Sequence, residues 1–163
     1  MFDAFLKIEG IDGESRDSKH QNEIEVLSYE WQVEQPATAT QSSLGGRAAG
    51  RANFGKFTIT KGVDKASPKL FLGCASGEHY ASARLELCEA GGDKQPYVEY
   101  KLTDVMITDF KPQGTRGEGE KRPLEVVSFA YAKIETKYTQ ISDKGTPSGT
   151  VAAGWDLTKN QKV

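Results

Sequence analysis

The feature that most narrows what this chain can fold into is a hydrophobic period of two residues, recurring along its length and repeatedly changing phase. Alternation of this kind marks strands with one buried and one wet face, because successive strand side chains point to opposite sides. Phe2, Ala4, Leu6 and Ile8 form one face of a first strand, against Asp3, Lys7 and Glu9 on the other. Phe5 breaks the pattern, and an aromatic on a polar face is a candidate subunit-interface contact. Between Glu23 and Glu34 the apolar positions run Ile24, Val26, then Tyr29, Trp31, Val33, so the phase flips near Leu27-Ser28. The same flip separates Val98-Tyr100-Leu102 from Val105-Ile107, and Val127-Phe129-Tyr131 from Ile134. A β-bulge at each flip bends its strand, and long bent strands let a sheet curl onto itself. Further strands are expected at Phe57 to Lys61, Ala81 to Cys88 and Val151 to Leu157. The expected fold class is all-β: a curved two-sheet barrel or sandwich.

One segment departs from this period. In Ser67-Pro68-Lys69-Leu70-Phe71-Leu72-Gly73-Cys74-Ala75-Ser76-Gly77, a serine N-cap precedes a first-turn proline, and a glycine closes the far end. The spacing predicts one short flanking α-helix, with Leu70, Phe71 and Cys74 on a shared face that covers an end or seam of the β body. Three loops remain: Pro36 to Asn53, Lys111 to Pro123, and Ser142 to Gly149. Hairpins need only about two to five loop residues, so the first has reach to spare for contacts outside the domain.

A length of 163 residues fits one domain over 1–163, large enough to bury about 68 to 70% of its unfolded surface without disulfides or metal. Cys74 and Cys88 lack a CxxC or Cys/His ligand pattern and suit a reducing cytoplasm as free thiols. A net charge of -2, with both signs spread along the chain, provides no positive field for nucleic acid or anionic lipid. Met1-Phe2-Asp3-Ala4-Phe5-Leu6-Lys7 carries charges inside its apolar stretch, so it does not read as a secretory signal. No apolar run approaches membrane-spanning length.

Tests for chemistry return little. Gly50-Arg51-Ala52-Asn53-Phe54-Gly55-Lys56-Phe57 nearly spells a phosphate-binding loop, but Phe57 stands where magnesium needs a hydroxyl, and an alternating strand follows where a helix is required. His20 and His79 have no motif partner, and the nucleophile-elbow pattern GxSxG is absent. His79 reads as a hydrogen-bonded residue at a helix-to-strand corner. Glu118 and Glu120 sit in a Gly-rich loop that would not hold a carboxylate pair at fixed separation. Neither a metal site nor a cofactor site is expected.

The sequence itself resembles a known family. Phe5-Leu6-Lys7-Ile8, Gly10-Ile11-Asp12-Gly13-Glu14-Ser15, and His20 with Glu23-Ile24-Glu25-Val26-Leu27-Ser28-Tyr29-Glu30-Trp31 are similar to the opening of the haemolysin-coregulated proteins (Hcp) of type VI secretion. The likeness continues through Asp64-Lys65-Ala66-Ser67-Pro68, Ser76-Gly77-Glu78-His79-Tyr80, Ala90-Gly91-Gly92 and Val127-Ser128-Phe129-Ala130-Tyr131 to Gly154-Trp155-Asp156-Leu157. The resemblance implies a two-sheet β-barrel with one flanking helix. It implies hexameric rings with a wide pore, stacked into a tube that a contractile sheath drives out behind a spike, with effector proteins carried inside. The chain would then be made in the cytoplasm and exported without a signal peptide.

On that resemblance, Ser28, Glu30 and Gln32 are lumen candidates, and Glu30 would favour cargo with a basic patch. Arg47 and Arg51, on the long loop, are candidates for ring stacking. The chain ends soon after Trp155 without the appended catalytic domain that some members carry, so delivery of separate cargo is expected. Two other readings stand beside it. A small β-barrel binding an apolar ligand needs an empty interior, which Trp31, Phe57, Phe129 and Tyr131 would fill. A hydrolase using His79 needs a measurable turnover.

Overall fold

The alternating segments form strands, and every ladder among the described residues is antiparallel. The computed structural model describes residues 1–38, 48–114, 116 and 121–163. In chain order the elements are β1 (Phe2–Ile8), β2 (Ile24–Val26), β3 (Ser28–Glu30), β4 (Val33–Glu34), β5 (Ala37–Thr38), β6 (Ala48–Ala49), β7 (Asn53–Phe54), β8 (Phe57–Gly62), helix α1 (Ser67–Ser76), β9 (His79–Glu89), β10 (Pro96–Gln113), β11 (Leu124–Ile141), β12 (Pro147–Asp156) and β13 (Gln161–Lys162).

The pairings run in a circuit. β1 pairs with β9, β9 with β10, β10 with β11, β11 with β8, and β8 with β3. β3 follows β2 after Leu27 alone, and β2 pairs back onto β1. The path therefore closes into a curved barrel, which bears out the expected fold class. β11 is long enough to serve two neighbours: its first part (Leu124 to Phe129) pairs with β8, and its second (Lys133 to Ile141) with β12.

The phase flips have two different causes. At Leu27 the chain changes partner, from β1 (Val26 opposite Ala4) to β8 (Ser28 opposite Thr60), and the Leu27 N–H donates to the Thr60 carbonyl at 2.8 Å. This is a corner between ladders rather than a bulge within one. Around Leu102 to Val105 the register does not slip, since Thr103 faces Lys133 and Val105 faces Tyr131. Asp104 instead takes a left-handed φ of 53°, a region that short polar residues tolerate, and the buried phase changes on β10 and β11 together. Register shifts occur elsewhere, between Pro96 and Val98, Ile107 and Asp109, and Gln140 and Ile141.

The barrel interior is filled. Leu6, Ile24, Phe57, Ile59, Leu85, Leu102, Val105, Ile107 and Phe129 are each at most 2% exposed. Tyr29 packs against Phe57 and Tyr100, with centroids 6.1 and 5.4 Å away. Each such large side chain contributes about 1.5 to 3 kcal/mol by leaving water. Side chains occupy the space an apolar ligand would need.

Helix α1 forms where the proline and glycine predicted it, with corrections at its start and on its face. Ala66, not Ser67, is the N-cap, and no side chain caps it. The Ser67 hydroxyl turns inward, donating to Glu125 Oε2 at 2.8 Å and accepting from the Asp64 N–H at 3.1 Å. Gly77 closes the helix in the left-handed region at φ 67°. Leu70 is fully buried and Cys74 half-buried, but Phe71 is 58% exposed, with its ring 6.3 Å from that of Phe110. Gly73 lies so near Tyr80 that a Cβ there would strike the phenol oxygen.

Beneath the helix start lies a buried charge cluster. Cross-strand pairing sets Lys61 opposite Glu125. The Lys61 Nζ donates to the Gly62 carbonyl at 2.9 Å, Asp64 Oδ1 at 2.9 Å and Glu125 Oε2 at 2.8 Å, so all three protons have close acceptors.

Candidate functional site

The outer face of β3 and β8 is a polar wall. Strand alternation turns Tyr29, Phe57 and Ile59 into the barrel and leaves Ser28, Glu30, Thr58 and Thr60 on the opposite side. Ser28, Glu30 and Gln32 are all exposed, the first two on this outer face of β3 and Gln32 just beyond its end. Register sets Ser28 against Thr60 and Glu30 against Thr58, and the Thr58 hydroxyl meets that of Ser128 at 2.8 Å. Gln32 Nε2 donates to the Glu34 carboxylate. At the lower edge Lys56 pairs with Asp109 at 2.7 Å, which together with the Thr108 hydroxyl holds the Asp109 carboxyl below its ordinary range. The wall is wet, rich in hydroxyls, and carries the Glu30 charge outward.

Of the two stacking arginines, Arg47 lies outside the described residues. Arg51 is exposed and donates to the Leu157 carbonyl at 3.0 Å, which ties its segment to the chain after β12.

Phe5 requires a correction. It is only 3% exposed, so it is not presented to a neighbouring copy. The 9–23 loop folds back across the polar face of β1 and lays His20 on the Phe5 ring, with centroids 4.3 Å apart and planes within 7°. His20 is itself 1% exposed, with Nδ1 at 2.8 Å from Asp17 Oδ2 and Nε2 at 2.6 Å from Glu86 Oε2. Lys94 sits over the same Phe5 ring at 5.5 Å and reaches Asp3 and Asp17 at 3.2 and 3.4 Å. Burial pushes the Glu23 carboxyl up, although Arg84 stands 3.5 Å away. Cys88 is fully buried, and burial pushes its thiol up to about 11. None of these partners is local to His20 in sequence except Asp17. An Asp-x-x-His spacing was the sole legible trace.

His79 stands at the start of β9, after the helix cap, with Nδ1 at 3.0 Å from Asp104 Oδ1; both side chains are exposed. The nearby Ser76 hydroxyl donates to the Gly73 carbonyl within its own helix. The described residues contain no group of three or more His, Cys, Asp or Glu placed to hold a metal ion. What the geometry offers is surface: a polar wall, a strand edge along β12 and a rigidly folded loop.

Comparison with known proteins places the chain in a family. Residues 5–138 match the family model "Type VI secretion system effector, Hcp". The protein hcp1 of Pseudomonas aeruginosa is 34% identical over 160 residues, covering 97% of this chain and 96% of that one. A solved structure described as that of a type six secretion system protein superposes with a TM-score of 0.93 at 34% identity, covering 100% of both chains. Hcp1 from Salmonella typhimurium superposes with a TM-score of 0.81 at 36% identity, covering 99% of each. The chain belongs to the Hcp family of secreted type VI secretion proteins.

Proposed function

We propose that the chain is the structural subunit of the type VI inner tube, six copies closing into a ring and the rings stacking to carry effector proteins. The observation that supports this reading best is the outer edge of β12. β13 pairs only with Trp155 and Asp156, and the Val163 N–H donates to the Gly154 carbonyl at 3.1 Å, so Pro147 to Ala153 have no ladder on that side among the described residues. Pro147-Ser148-Gly149-Thr150-Val151-Ala152-Ala153-Gly154 contains no charge, and Val151 is 73% exposed. Edges left flat and uncharged invite pairing with another chain, and proteins normally blunt them. A second copy seated there would cover it. The polar wall of β3 and β8 lies on a different flank, since β8 and β12 pair with different parts of β11, so a copy seated on the β12 edge leaves that wall free to face a pore.

In this reading Ser28, Glu30 and Gln32 face the lumen, where Glu30 attracts basic surfaces of cargo. Arg51, with Arg47, serves contacts between rings. The partners are further copies of the chain, effectors, sheath and spike. The chain has no catalytic role, binds no nucleic acid and does not insert into membranes; no helix among the described residues is long and apolar enough to cross one. It is made in the cytoplasm and leaves by type VI export. The test is Val151→Lys combined with Ala153→Glu, followed by mass in solution and circular dichroism. A folded monomer is expected; a ring that survives both charges overturns the role of the edge.

A further inference from the structure

We propose that the groove bounded by the 9–23 loop, the β2–β3 corner, the 62–65 turn and the start of β11 is a docking site for an acidic, extended segment of a protein partner. The groove has a volume of about 730 Å³, within the range of about 300 to 1,000 Å³ found for formed ligand clefts. It lies at the Leu124 end of β11, whereas β12 pairs with the 133–141 end, so it is separate from the edge assigned above to ring closure.

Its walls are held before any ligand arrives. His20, clasped by Asp17 and Glu86, anchors the loop that forms one side. Within that loop Ser15 N–H donates to the Glu23 carbonyl at 3.0 Å and Asn22 N–H to the Ser15 carbonyl at 2.9 Å. Gly13 packs so tightly on the Glu23 backbone that a Cβ has no room. On the other side Asp64 is fixed by buried Lys61, and Arg122 bridges Glu14 Oε2 at 3.0 Å and the Val63 carbonyl at 3.2 Å. A preformed cleft loses little ordering entropy on binding.

The charges on its rim do not balance. Arg122 is matched by Glu14, while Asp64 shares the single buried Lys61 with Glu125. Arg16, Lys65 and Lys121 have no ion-pair partner among the described residues, against one unmatched acid, Glu25. Over the lining as a whole, four cations (Arg16, Lys65, Lys121 and Arg122) face three acids (Glu14, Glu25 and Asp64), a surplus of one positive charge on a chain whose overall charge is -2. Leu27, 60% exposed, and half-buried Leu124 add an apolar spot between the cations. The complementary ligand carries one or two carboxylates beside an apolar side chain.

The test uses the full chain and a fluorescein-labelled peptide of alternating Glu and Leu, read by anisotropy, with a Lys/Leu peptide as control. Saturable binding of the acidic peptide is expected, weakened by salt. Arg16→Glu with Lys121→Glu should reduce affinity at least tenfold, Leu27→Ser less, and the distant Lys159→Glu not at all, each variant being checked for fold by circular dichroism. The proposal is overturned if the acidic peptide does not saturate, if the double variant binds it equally, or if the Lys/Leu peptide binds as well. A change of solution mass in the folded double variant would also overturn it, by assigning the groove to a second copy of the chain.

Discussion

Replacing Lys61 by Met tests the buried charge cluster that fixes the helix start and one wall of the groove. The side chain is fully buried and its ammonium is shared among Glu125, Asp64 and the Gly62 carbonyl at 2.8 to 2.9 Å. Met fills nearly the same volume, so the loss is electrostatic. Glu125, 3% exposed, keeps only the Ser67 hydroxyl as donor, and Asp64 keeps the Ala66 N–H at 2.9 Å. Breaking a buried pair from one side costs about 3 to 5 kcal/mol, a large share of the 5 to 15 kcal/mol typical of a folded domain. With an m-value of about 2 kcal/mol/M, the urea midpoint should fall by about 2 M. The assay is urea unfolding followed through Trp31 and Trp155 at matched protein concentration, because assembly would add a concentration term. Lys61→Met with Glu125→Leu removes both charges and should recover more than half the loss. A single-variant cost below about 1 kcal/mol, or strict additivity in the double variant, would refute the reasoning.

Two further outcomes follow from contacts in the barrel. Gly73→Ala gains about 1 kcal/mol of helix propensity but drives a methyl into the Tyr80 phenol, at a cost of about 1 to 3 kcal/mol, so net destabilisation is expected; adding Tyr80→Phe should restore stability in thermal melts, and no recovery would contradict the stated contact. Burial pushes Tyr131 up to about 12 from 10.0 and Cys88 up to about 11 from 9.0. Both groups hold their protons in the folded chain after the unfolded chain has released them, so stability is intact below about pH 9 and falls as pH rises. The loss is about 2 to 3 kcal/mol per group, for Cys88 between about pH 9 and 11 and for Tyr131 between about pH 10 and 12. Urea midpoints across this range check the trend, and Cys88→Ala should abolish the earlier part of it.

What could be read from the residues was the part of the fold that is written in local period. Alternation located β1, β8, β9 and the long hairpin of β10 and β11, and Pro68 with Gly77 located the helix. The flip at Leu27 marked a real corner, though its cause, a change of partner strand, is a tertiary fact. Phe5 was misplaced because its cover comes from elsewhere: the clasp on His20 joins Asp17 to Glu86, 66 residues beyond the histidine, and only strand pairing brings them together. Ser67 misled for a similar reason, since local capping rules could not foresee a buried Glu125 competing for its hydroxyl. The polar wall of Ser28, Glu30 and Gln32 was legible because exposure on a strand follows from alternation alone. The groove was not, because its rim is gathered from four separate stretches of chain.

The open edge of β12 gives the ring reading its physical basis, and negative-stain imaging of the purified chain, with mass in solution, tests it most directly. The account predicts six-fold rings with an open centre and a mass of about 107 kDa, six chains of 17.8 kDa. A particle of 17.8 kDa at high protein concentration, with no ring and no pore, would contradict it.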